Sequence, residues 1–376
     1  MDPNLIARTL DMAVAIQQIP APTFAESQRA AFILQRFSEA GLSNVSMDAP
    51  GNIYGCLPGQ GTRRPVVVSA HTDTVFPAGT DLSIRREADK IHGPGIGDNS
   101  LGVAGLFGLL WALQANRKAA GAAQKQRTGL PGDTWLVANV CEEGLGDLRG
   151  MRSVVERFND APLAYIILEG MALGQIYHRG LGVQRYRITI RTPGGHSWVD
   201  YGRASAIHEL AGLVTRLTAL PLPGRPRTSL NVGVIQGGTT INTIAAEAWL
   251  ELDLRSEGGH ALSDLTDWVE GLVKAANRPT VEATCEVIGQ RPAGKLSSNH
   301  PLVQLAWRCL EAQDIQPNLG IGSTDANIPL SRGLPAVCVG MTNGSGAHTV
   351  KEFIFTEPVS KGLSSVIQLV QQAFEI

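Results

Sequence analysis

The sequence predicts an α/β protein with a three-layer domain around a mostly parallel β-sheet, interrupted by an inserted α+β domain. Over residues 1–183, short apolar runs bounded by turn residues alternate with helical periodicity, as in buried parallel strands joined by helices. From residue 184 polar and apolar residues alternate, which is typical of half-solvated antiparallel strands. The first pattern returns over residues 294–376. The predicted domains are therefore 1–183 with 294–376, and 184–293.

In the first domain, helical periodicity covers residues 4–18 and 25–40. A glycine-rich segment, residues 93–99, opens an apolar helix over residues 103–113. Residues 118–132 are rich in Ala, Gly and Gln and are predicted to form a surface loop. The apolar runs predicted to be buried strands are residues 66–70, 135–140, 166–168 and 336–340.

The inserted domain shows two sets of strands and helices. Pro221 and Pro223 end its first predicted helix, because proline cannot continue a helix. The last helix of the chain is expected to be capped near Thr356, with Pro358 in its first turn. The elements predicted for the insertion are strands at 184–191, 229–236, 247–255 and 280–288, and helices at 204–220 and 262–276.

The bulk composition excludes several classes of protein. A length of 376 residues exceeds what one core usually fills, and a formal charge of -2 gives no electrostatic attraction to nucleic acid or to an anionic membrane. The five cysteines are scattered and odd in number, which argues against a disulfide framework or a structural cysteine–zinc site. The N-terminus lacks the features of a signal peptide, and no apolar run is long enough to span a membrane. We therefore expect a reduced, cytoplasmic protein.

Imidazoles and carboxylates stand where the predicted strands end. In open α/β sheets ligands bind at the carboxyl ends of the strands, so we expect these side chains to meet at one edge. Such a collection suits a hydrolytic metal site. The residues at these positions are His71, Asp73, Asp98, Glu142, Glu143, Glu169 and His348.

Taken singly, each of these positions has a simpler explanation. A His-x-Asp sequence at His71 is usually incidental, Asp98 could merely cap the following helix, and paired acids such as Glu142 and Glu143 are commonly a solvated turn. Five such coincidences at strand ends are improbable together. Burying several acids without cations would also be costly, because like carboxylates cannot all ionise together. Two divalent ions remove that cost.

These motifs, in this order and spacing, resemble the di-zinc exopeptidase and N-acyl-amino-acid deacylase family over nearly the whole chain. That family includes glutamate carboxypeptidase, aminoacylase, acetylornithine deacetylase, succinyl-diaminopimelate desuccinylase and the tripeptide aminopeptidases. The segments that carry the resemblance are His71-Thr-Asp73-Thr-Val, Gly93-Pro-Gly-Ile-Gly-Asp98, Glu142-Glu143-Gly, Glu169-Gly and the late His348.

The resemblance implies two Zn²⁺ ions per chain, with Co²⁺ or Mn²⁺ as alternatives. His71 and Glu169 would hold one ion and Glu143 and His348 the other, with Asp98 bridging. Asp73 would support His71, and Glu142 would be the general base towards a water that bridges the ions. The bond after the bridging acid is often cis in this family, which makes Asp98–Asn99 a candidate.

The inserted domain resembles the family's lid and dimerisation domain. His196, in Gly194-Gly195-His196-Ser197, would reach the active site of a partner subunit and stabilise the oxyanion, although a plain turn residue is an equal alternative. Asn242 and Arg255 would grip the substrate, but Arg255 could also be a surface charge. Ser323 lies in a segment that matches a substrate-side loop. A homodimer through the inserted domain is implied.

Together the sequence predicts a metal-dependent hydrolase of amide bonds in small peptides or N-acylated amino acids. In the family, Glu at the position of Glu169 is commoner in deacylases and carboxypeptidases, which favours substrates with a free carboxylate. The chain departs from the family at Asn99 to Gly102, at Cys141 and at Ala245. The alternatives are a carbamoyl or ureido amidohydrolase and a non-catalytic binding protein that keeps the fold.

Overall fold

The computed structural model describes residues 1–119 and 129–376. Part of the predicted loop over residues 118–132, namely residues 120–128, lies outside the described residues. The chain divides into two compact units, which we describe separately. The α/β unit comprises Met1–Gly180 with Gly294–Ile376, and the inserted unit comprises Leu181–Ala293.

The helices begin and end largely where the sequence pattern indicates. In the first, Pro3 occupies the first turn and the Asp2 side chain accepts a hydrogen bond from the Asn4 N–H. The last helix starts directly after Pro358, slightly later than its expected cap at Thr356. The helices are α1 (Pro3–Gln17), α2 (Ser27–Glu39), α3 (Leu101–Ala119), α4 (Arg149–Phe158), α5 (Ala206–Thr218), α6 (Gly259–Ala276), α7 (Pro301–Glu311), α8 (Asn327–Ser331) and α9 (Val359–Gln372).

The strands range from two-residue ladders to ten-residue strands in the inserted unit. They are β1 (Ser43–Met47), β2 (Ile53–Leu57), β3 (Val66–His71), β4 (Arg85–Arg86), β5 (Lys90–His92), β6 (Thr134–Asn139), β7 (Ala164–Glu169), β8 (Gln175–Gly180), β9 (Gly182–Arg191), β10 (Gly195–His196), β11 (Thr228–Gly237), β12 (Thr243–Ile244), β13 (Glu247–Ser256), β14 (Glu282–Arg291), β15 (Gly294–Lys295), β16 (Asn318–Gly322), β17 (Ala336–Gly340), β18 (Gly344–Ser345) and β19 (Phe353–Phe355).

The large sheet of the α/β unit has the strand order β1-β2-β6-β3-β7-β17-β8-β15, with β16 also beside β8. The adjacent strands β6, β3, β7 and β17 are parallel, so their carboxyl ends lie at one edge. His71 is paired with Asn139, and Glu169 with Gly340. The predicted α/β class is confirmed, and the strands predicted to carry the functional residues lie side by side.

Helix α3 lies in the core of the α/β unit. Most of its described side chains, including Leu106, Leu109 and Leu110, are buried. Among the described residues, Ile96–Asn116 is the one segment long and apolar enough to cross a membrane, but 83% of its most apolar window is buried inside the protein. It has the character of a core helix.

The inserted unit is an antiparallel sheet, in the order β11-β13-β9-β14, with α5 and α6 packed on it. Ile188, Leu250 and Leu254 alternate inward along β9 and β13 and form its core with residues of both helices. The unit starts at Leu181, three residues before the predicted boundary at residue 184.

A smaller four-stranded sheet, in the order β18-β19-β5-β4, joins distant parts of the α/β unit. It pairs Phe353–Phe355 with Lys90–His92 and thereby places the segment after residue 340 beside the segment before residue 98. Strands of two or three residues give no periodic signal, and the sequence analysis did not predict this sheet.

Candidate metal centre

The predicted ligand residues lie at one edge of the large sheet, where β6, β3, β7 and β17 end. His71 is the last residue of β3 and Glu169 is the last residue of β7. Glu143 follows β6, Asp98 lies between β5 and α3, and His348 lies between β18 and β19. Strand ends therefore supply three of the side chains and loops next to the edge supply the other two.

Asp98 lies at the centre of these side chains, and its two oxygens face different imidazoles. Its Oδ1 is 3.2 Å from His71 Nε2, and its Oδ2 is 3.1 Å from His348 Nε2. Glu169 Oε2 is 3.6 Å from His71 Nε2, and Glu143 Oε1 is 3.1 Å from His348 Nε2. The structure brings together all five predicted ligands, in two groups that share Asp98.

Asp73 anchors the loop that carries the two adjacent glutamates. Its buried carboxylate accepts the N–H of Glu142 through Oδ1, at 2.9 Å, and the N–H of Glu143 through Oδ2, at 2.9 Å. The hydroxyl of Thr23 also donates to Oδ2, at 2.9 Å. On its other side, Asp73 Oδ1 lies 3.5 Å from His71 Nδ1. Asp73 thus occupies its predicted place beside His71 and also positions Glu142, whose side chain is buried.

The two imidazoles have raised pKa values because they face carboxylates. Burial lowers the pKa of His71, but hydrogen bonds to Asp73, Asp98 and Glu169 outweigh burial and raise it well above its usual value. Hydrogen bonds to Asp98 and Glu143 raise the pKa of His348 to about 10. The site therefore attracts positive charge strongly.

The carboxylates of the site repel one another electrostatically. Burial and the negative charges of Asp98 and Glu143 raise the pKa of Glu169, despite the opposing effect of His71. Burial also acts to raise the pKa of Asp98, but its hydrogen bonds with His348 and His71 outweigh burial and lower it. Divalent cations would remove this repulsion.

The donor set fits such cations. Imidazole nitrogens and carboxylate oxygens are the ligands that Zn²⁺ and related ions use in catalytic sites. His71, Glu169 and one oxygen of Asp98 could hold one ion, and Glu143, His348 and the other oxygen of Asp98 could hold a second. Ligand atoms of His71, Asp98 and Glu143 also lie within 4.8 Å of one another.

The turn that carries Asp98 is fixed to the end of β7. The Asp98–Asn99 peptide bond is cis, as the family resemblance led us to expect. The Asn99 side chain donates to the carbonyl of Leu168 at 2.9 Å and accepts from the N–H of Gly170 at 2.7 Å. Because Leu168 and Gly170 flank Glu169, these bonds join two of the ligand-bearing segments.

Sequence reasoning missed Glu352, a fully buried acid next to the cluster. Its carboxylate accepts hydrogen bonds from three backbone N–H groups of the Asp98 turn. Burial raises its pKa to about 7, although these bonds lower it. Glu352 follows no apolar strand, and its short separation from His348 is the one signal that could have identified it.

Asp325 is a second buried acid near the site that was not assigned a role. Its Oδ2 accepts a hydrogen bond from Asn139 Nδ2 at 2.7 Å, and its Oδ1 has no partner. Burial raises its pKa to about 7, although His71 lowers it. In the sequence, Asp325 lies two residues after Ser323.

In the inserted unit, the ladder between β10 and β12 brings the segments of His196 and Asn242 together. The N–H of Ser197 donates to the Asn242 carbonyl at 3.0 Å. His196 Nδ1 accepts hydrogen bonds from the N–H groups of Trp198, at 3.2 Å, and Val199, at 3.3 Å. Because Nδ1 is an acceptor, the ring proton is assigned to Nε2.

The other two predicted substrate residues are Arg255, in the inserted unit, and Ser323, in the α/β unit. Arg255 is on β13, where its Nε is 2.7 Å from Asp253 Oδ2, and Arg185 Nε is 2.9 Å from the other oxygen of Asp253. The two guanidinium groups therefore share one carboxylate. Ser323 is in the α/β unit, half-buried, directly after β16.

The chain is similar to known proteins over most of its length. The sequence model described as peptidase family M20/M25/M40 matches residues 67–372. Among relatives, the succinyl-diaminopimelate desuccinylase of Corynebacterium glutamicum is 23% identical over 354 residues, which cover 92% of this chain and 91% of that protein.

Solved structures share the fold over the full chain. A tripeptidase from Staphylococcus aureus superposes with a TM-score of 0.80 at 21% identity and covers 99% of both chains. A dinuclear metal-binding peptidase of the M20 family from Bacillus subtilis gives a TM-score of 0.70 at 15% identity, over 100% of this chain and 99% of its own.

The family model covers part of each segment of the α/β unit and the whole inserted unit. It therefore covers the predicted metal ligands from His71 to His348. The family and the hydrolase class predicted from the sequence are confirmed: this chain belongs to peptidase family M20/M25/M40.

Proposed function

We propose that this protein hydrolyses the amide bond of small peptides or N-acylated amino acids with the help of two Zn²⁺ ions. The observation that carries the proposal is the shared position of Asp98, whose two oxygens face His71 on one side and His348 on the other. A carboxylate in that position can serve two cations at once. Bound divalent ions would polarise the substrate carbonyl and lower the pKa of water.

Glu142 moves the proton in this proposal. It takes a proton from the attacking water and returns it to the leaving amine, which is the usual work of a buried glutamate beside a metal site. The hydrogen bond from its N–H to Asp73 fixes its backbone, and its neighbour Glu143 faces His348. Adjacent acids can thus divide the tasks of proton transfer and metal binding.

His196 supplies a hydrogen-bond donor to the carbonyl oxygen as that oxygen becomes negative. This role follows from the family resemblance, which places the histidine in the active site of a partner subunit. The hydrogen bonds that Nδ1 accepts from Trp198 and Val199 support it, because they leave Nε2 with the proton that a donor needs.

The substrate carries a free carboxylate in this proposal, held by Arg255 and supported by Asn242 and Ser323. The partly exposed guanidinium group of Arg255 supports binding of an anion, because guanidinium groups form paired hydrogen bonds with carboxylates. The named relatives include both a desuccinylase and a tripeptidase, so N-acyl amino acids and short peptides are both candidate substrates.

The protein acts as a homodimer through the inserted unit in this proposal. Strand β11 lies at the edge of its sheet and is largely exposed, including the apolar side chains of Val234 and Ile235. An exposed edge of this kind is open to pairing with a second copy. The five free cysteines support a reducing compartment, the cytoplasm.

Metal analysis and one pair of adjacent variants test the chemistry. Glu142→Gln should keep two zinc ions per chain and lower turnover by about 10²–10⁴-fold, because it removes the proton acceptor without removing a ligand. Glu143→Gln should lower zinc content, because it removes a ligand of one ion. Zinc per chain would be measured on the purified proteins by mass spectrometry.

A substrate panel tests the reaction class on the zinc-loaded protein. It would contain short peptides, N-acetyl and N-succinyl amino acids, and carbamoyl amino acids. Turnover of the carbamoyl compounds alone would contradict the proposed substrates in favour of a ureido amidohydrolase. Full activity of Glu142→Gln would contradict its role, and a wild-type protein that binds no zinc would contradict the metal centre.

A further inference from the structure

The carboxylate of Glu352 accepts hydrogen bonds from the turn that carries Asp98. Its Oε2 accepts the N–H of Gly95 at 2.8 Å, and its Oε1 accepts the N–H of Gly97 at 2.7 Å and that of Asp98 at 2.8 Å. The side chain has no exposed surface. Glu352 therefore binds the backbone amide of Asp98, the residue whose two side-chain oxygens face His71 and His348.

The main chain around Glu352 also forms hydrogen bonds with the segment that precedes Asp98. Its carbonyl accepts the N–H of Gly93 at 3.0 Å, and directly after it Phe353–Phe355 pairs with Lys90–His92. His348 precedes it in the same segment. Glu352 thus connects its own segment, which carries His348, to the segment that carries Asp98.

We propose that Glu352 is a positioning residue of the metal centre, which holds Asp98 in the orientation that lets each of its oxygens serve one cation. Three hydrogen bonds to one carboxylate restrict both the position and the rotation of the turn. A shift of that turn would move both oxygens of Asp98 at once. The inference rests on the proposed two-zinc function.

The substitution Glu352→Gln changes the hydrogen bonding and leaves the volume almost unchanged. Glutamine has a single acceptor oxygen, so its amide N–H₂ would face at least one of the three N–H donors. We expect zinc affinity to fall by about 10–100-fold for both ions, as when other groups that orient metal ligands are changed. Zinc affinity would be measured by competition with a chromophoric chelator, starting from protein stripped of metal.

Two controls separate positioning from general stability. Glu357→Gln, an exposed glutamate in the same segment, should bind zinc like the wild type. Hydrogen exchange in the metal-stripped protein should be faster at Gly95, Gly97 and Asp98 in Glu352→Gln, while amides of the inserted unit exchange as in the wild type. Thermal unfolding would show that the variants are folded before titration.

The outcomes are distinct. Wild-type protein that fails to bind zinc would contradict the proposed function itself. Wild-type binding together with an unchanged zinc affinity in folded Glu352→Gln would overturn the positioning role alone. If Glu352→Gln does not fold, Glu352→Asp, which keeps the charge but reaches less far, takes its place with the same criterion. Failure of both variants to fold would also overturn the inference, because Glu352 would then serve the fold.

Discussion

At the scale of single residues, buried acids position other acids. Burial raises the pKa of Asp73, but its hydrogen bonds with His71 and with two backbone N–H groups outweigh burial and lower it, so that it stays ionised. An ionised carboxylate accepts several N–H groups at once, and Asp73 uses this capacity to set the places of Glu142 and Glu143. The chemistry of the site therefore depends on side chains that need not touch the substrate.

Asp325 makes stability depend on pH. Burial raises its pKa to about 7, whereas an aspartate in an unfolded chain titrates near 3.9. Between these values the folded protein holds a proton that the unfolded chain has lost, so the free energy of unfolding falls as pH rises from about 4 to 7. The variant Asp325→Asn should lack this fall. Between pH 4 and pH 8, the free energy of unfolding of the wild type should therefore drop by about a few kcal/mol more than that of the variant.

Chemical denaturation of the metal-stripped proteins at pH 4, 6 and 8 would measure this difference. Stripping is needed because a bound cation near Asp325 would lower its pKa. Asp89→Asn, at an exposed position of the same unit, serves as the control and should follow the wild type at each pH. Parallel curves for Asp325→Asn and the wild type would show that folding does not raise the pKa of Asp325.

The residues of the candidate site were predictable to the extent that they followed strands. His71, Glu143 and Glu169 stand where apolar runs end, and that position marks the edge of a parallel sheet. Glu352 and Asp325 carry the same type of side chain, but their burial results from contacts with chain segments far away in sequence. Local sequence patterns do not predict such contacts.

At the scale of elements, strand β17 shows what periodicity can and cannot predict. Its bounds, 336–340, coincide with the predicted apolar run. Its neighbours β7 and β8 do not follow from the run itself, because pairing between distant strands depends on the whole fold. The short strands β4, β18 and β19 were missed for the related reason that two or three residues define no period.

Strand β11 offers an element-scale test of the dimer. Ile235 on β11 and Val287 on β14 are exposed β-branched residues at opposite edges of one sheet, 56% and 53% exposed. Ile235→Lys should raise the dimer dissociation constant by at least about tenfold, because like charges would meet where two copies pair. Val287→Lys should leave the dimer intact.

Light scattering after gel filtration would follow both variants over a range of protein concentrations. Dissociation by Val287→Lys alone would place the interface at the β14 edge instead. A wild-type protein that is monomeric at every concentration would exclude the homodimer.

At the scale of the whole molecule, the inserted unit enters and leaves the α/β unit at a single place. Gly180 at the end of β8 is paired in register with Gly294 at the start of β15. The change of sequence pattern after residue 183 lies close to this junction, because the two units bury their strands differently. The parallel strands of the α/β unit are buried on both faces, whereas the antiparallel strands of the inserted unit are buried on one face.

This junction allows the insertion to be removed. Joining Gly180 to Gly294 through a two-residue Asn-Gly turn would turn β8 and β15 into a hairpin. We expect the shortened protein to unfold cooperatively and to bind two zinc ions, since every proposed ligand lies in the α/β unit. Turnover should fall by at least about 10²-fold, because the proposed oxyanion donor His196 is lost.

Calorimetry and metal analysis of the shortened chain would check both expectations. The full-length His196→Ala variant is the matched control, since it removes the donor and keeps the unit. A shortened chain that folds but holds no zinc would show that the insertion contributes to metal binding.

The position of β17 in the sheet has a consequence for synthesis on the ribosome. Strand β17 lies between β7 and β8, yet it is made long after both. Until it emerges, the nascent chain carries a row of unpaired amides along the apolar strand β7, and such open edges invite association with other chains. The inserted unit has its own core and is completed during this interval. Cellular chaperones are thus expected to hold the growing polypeptide until its closing strand arrives.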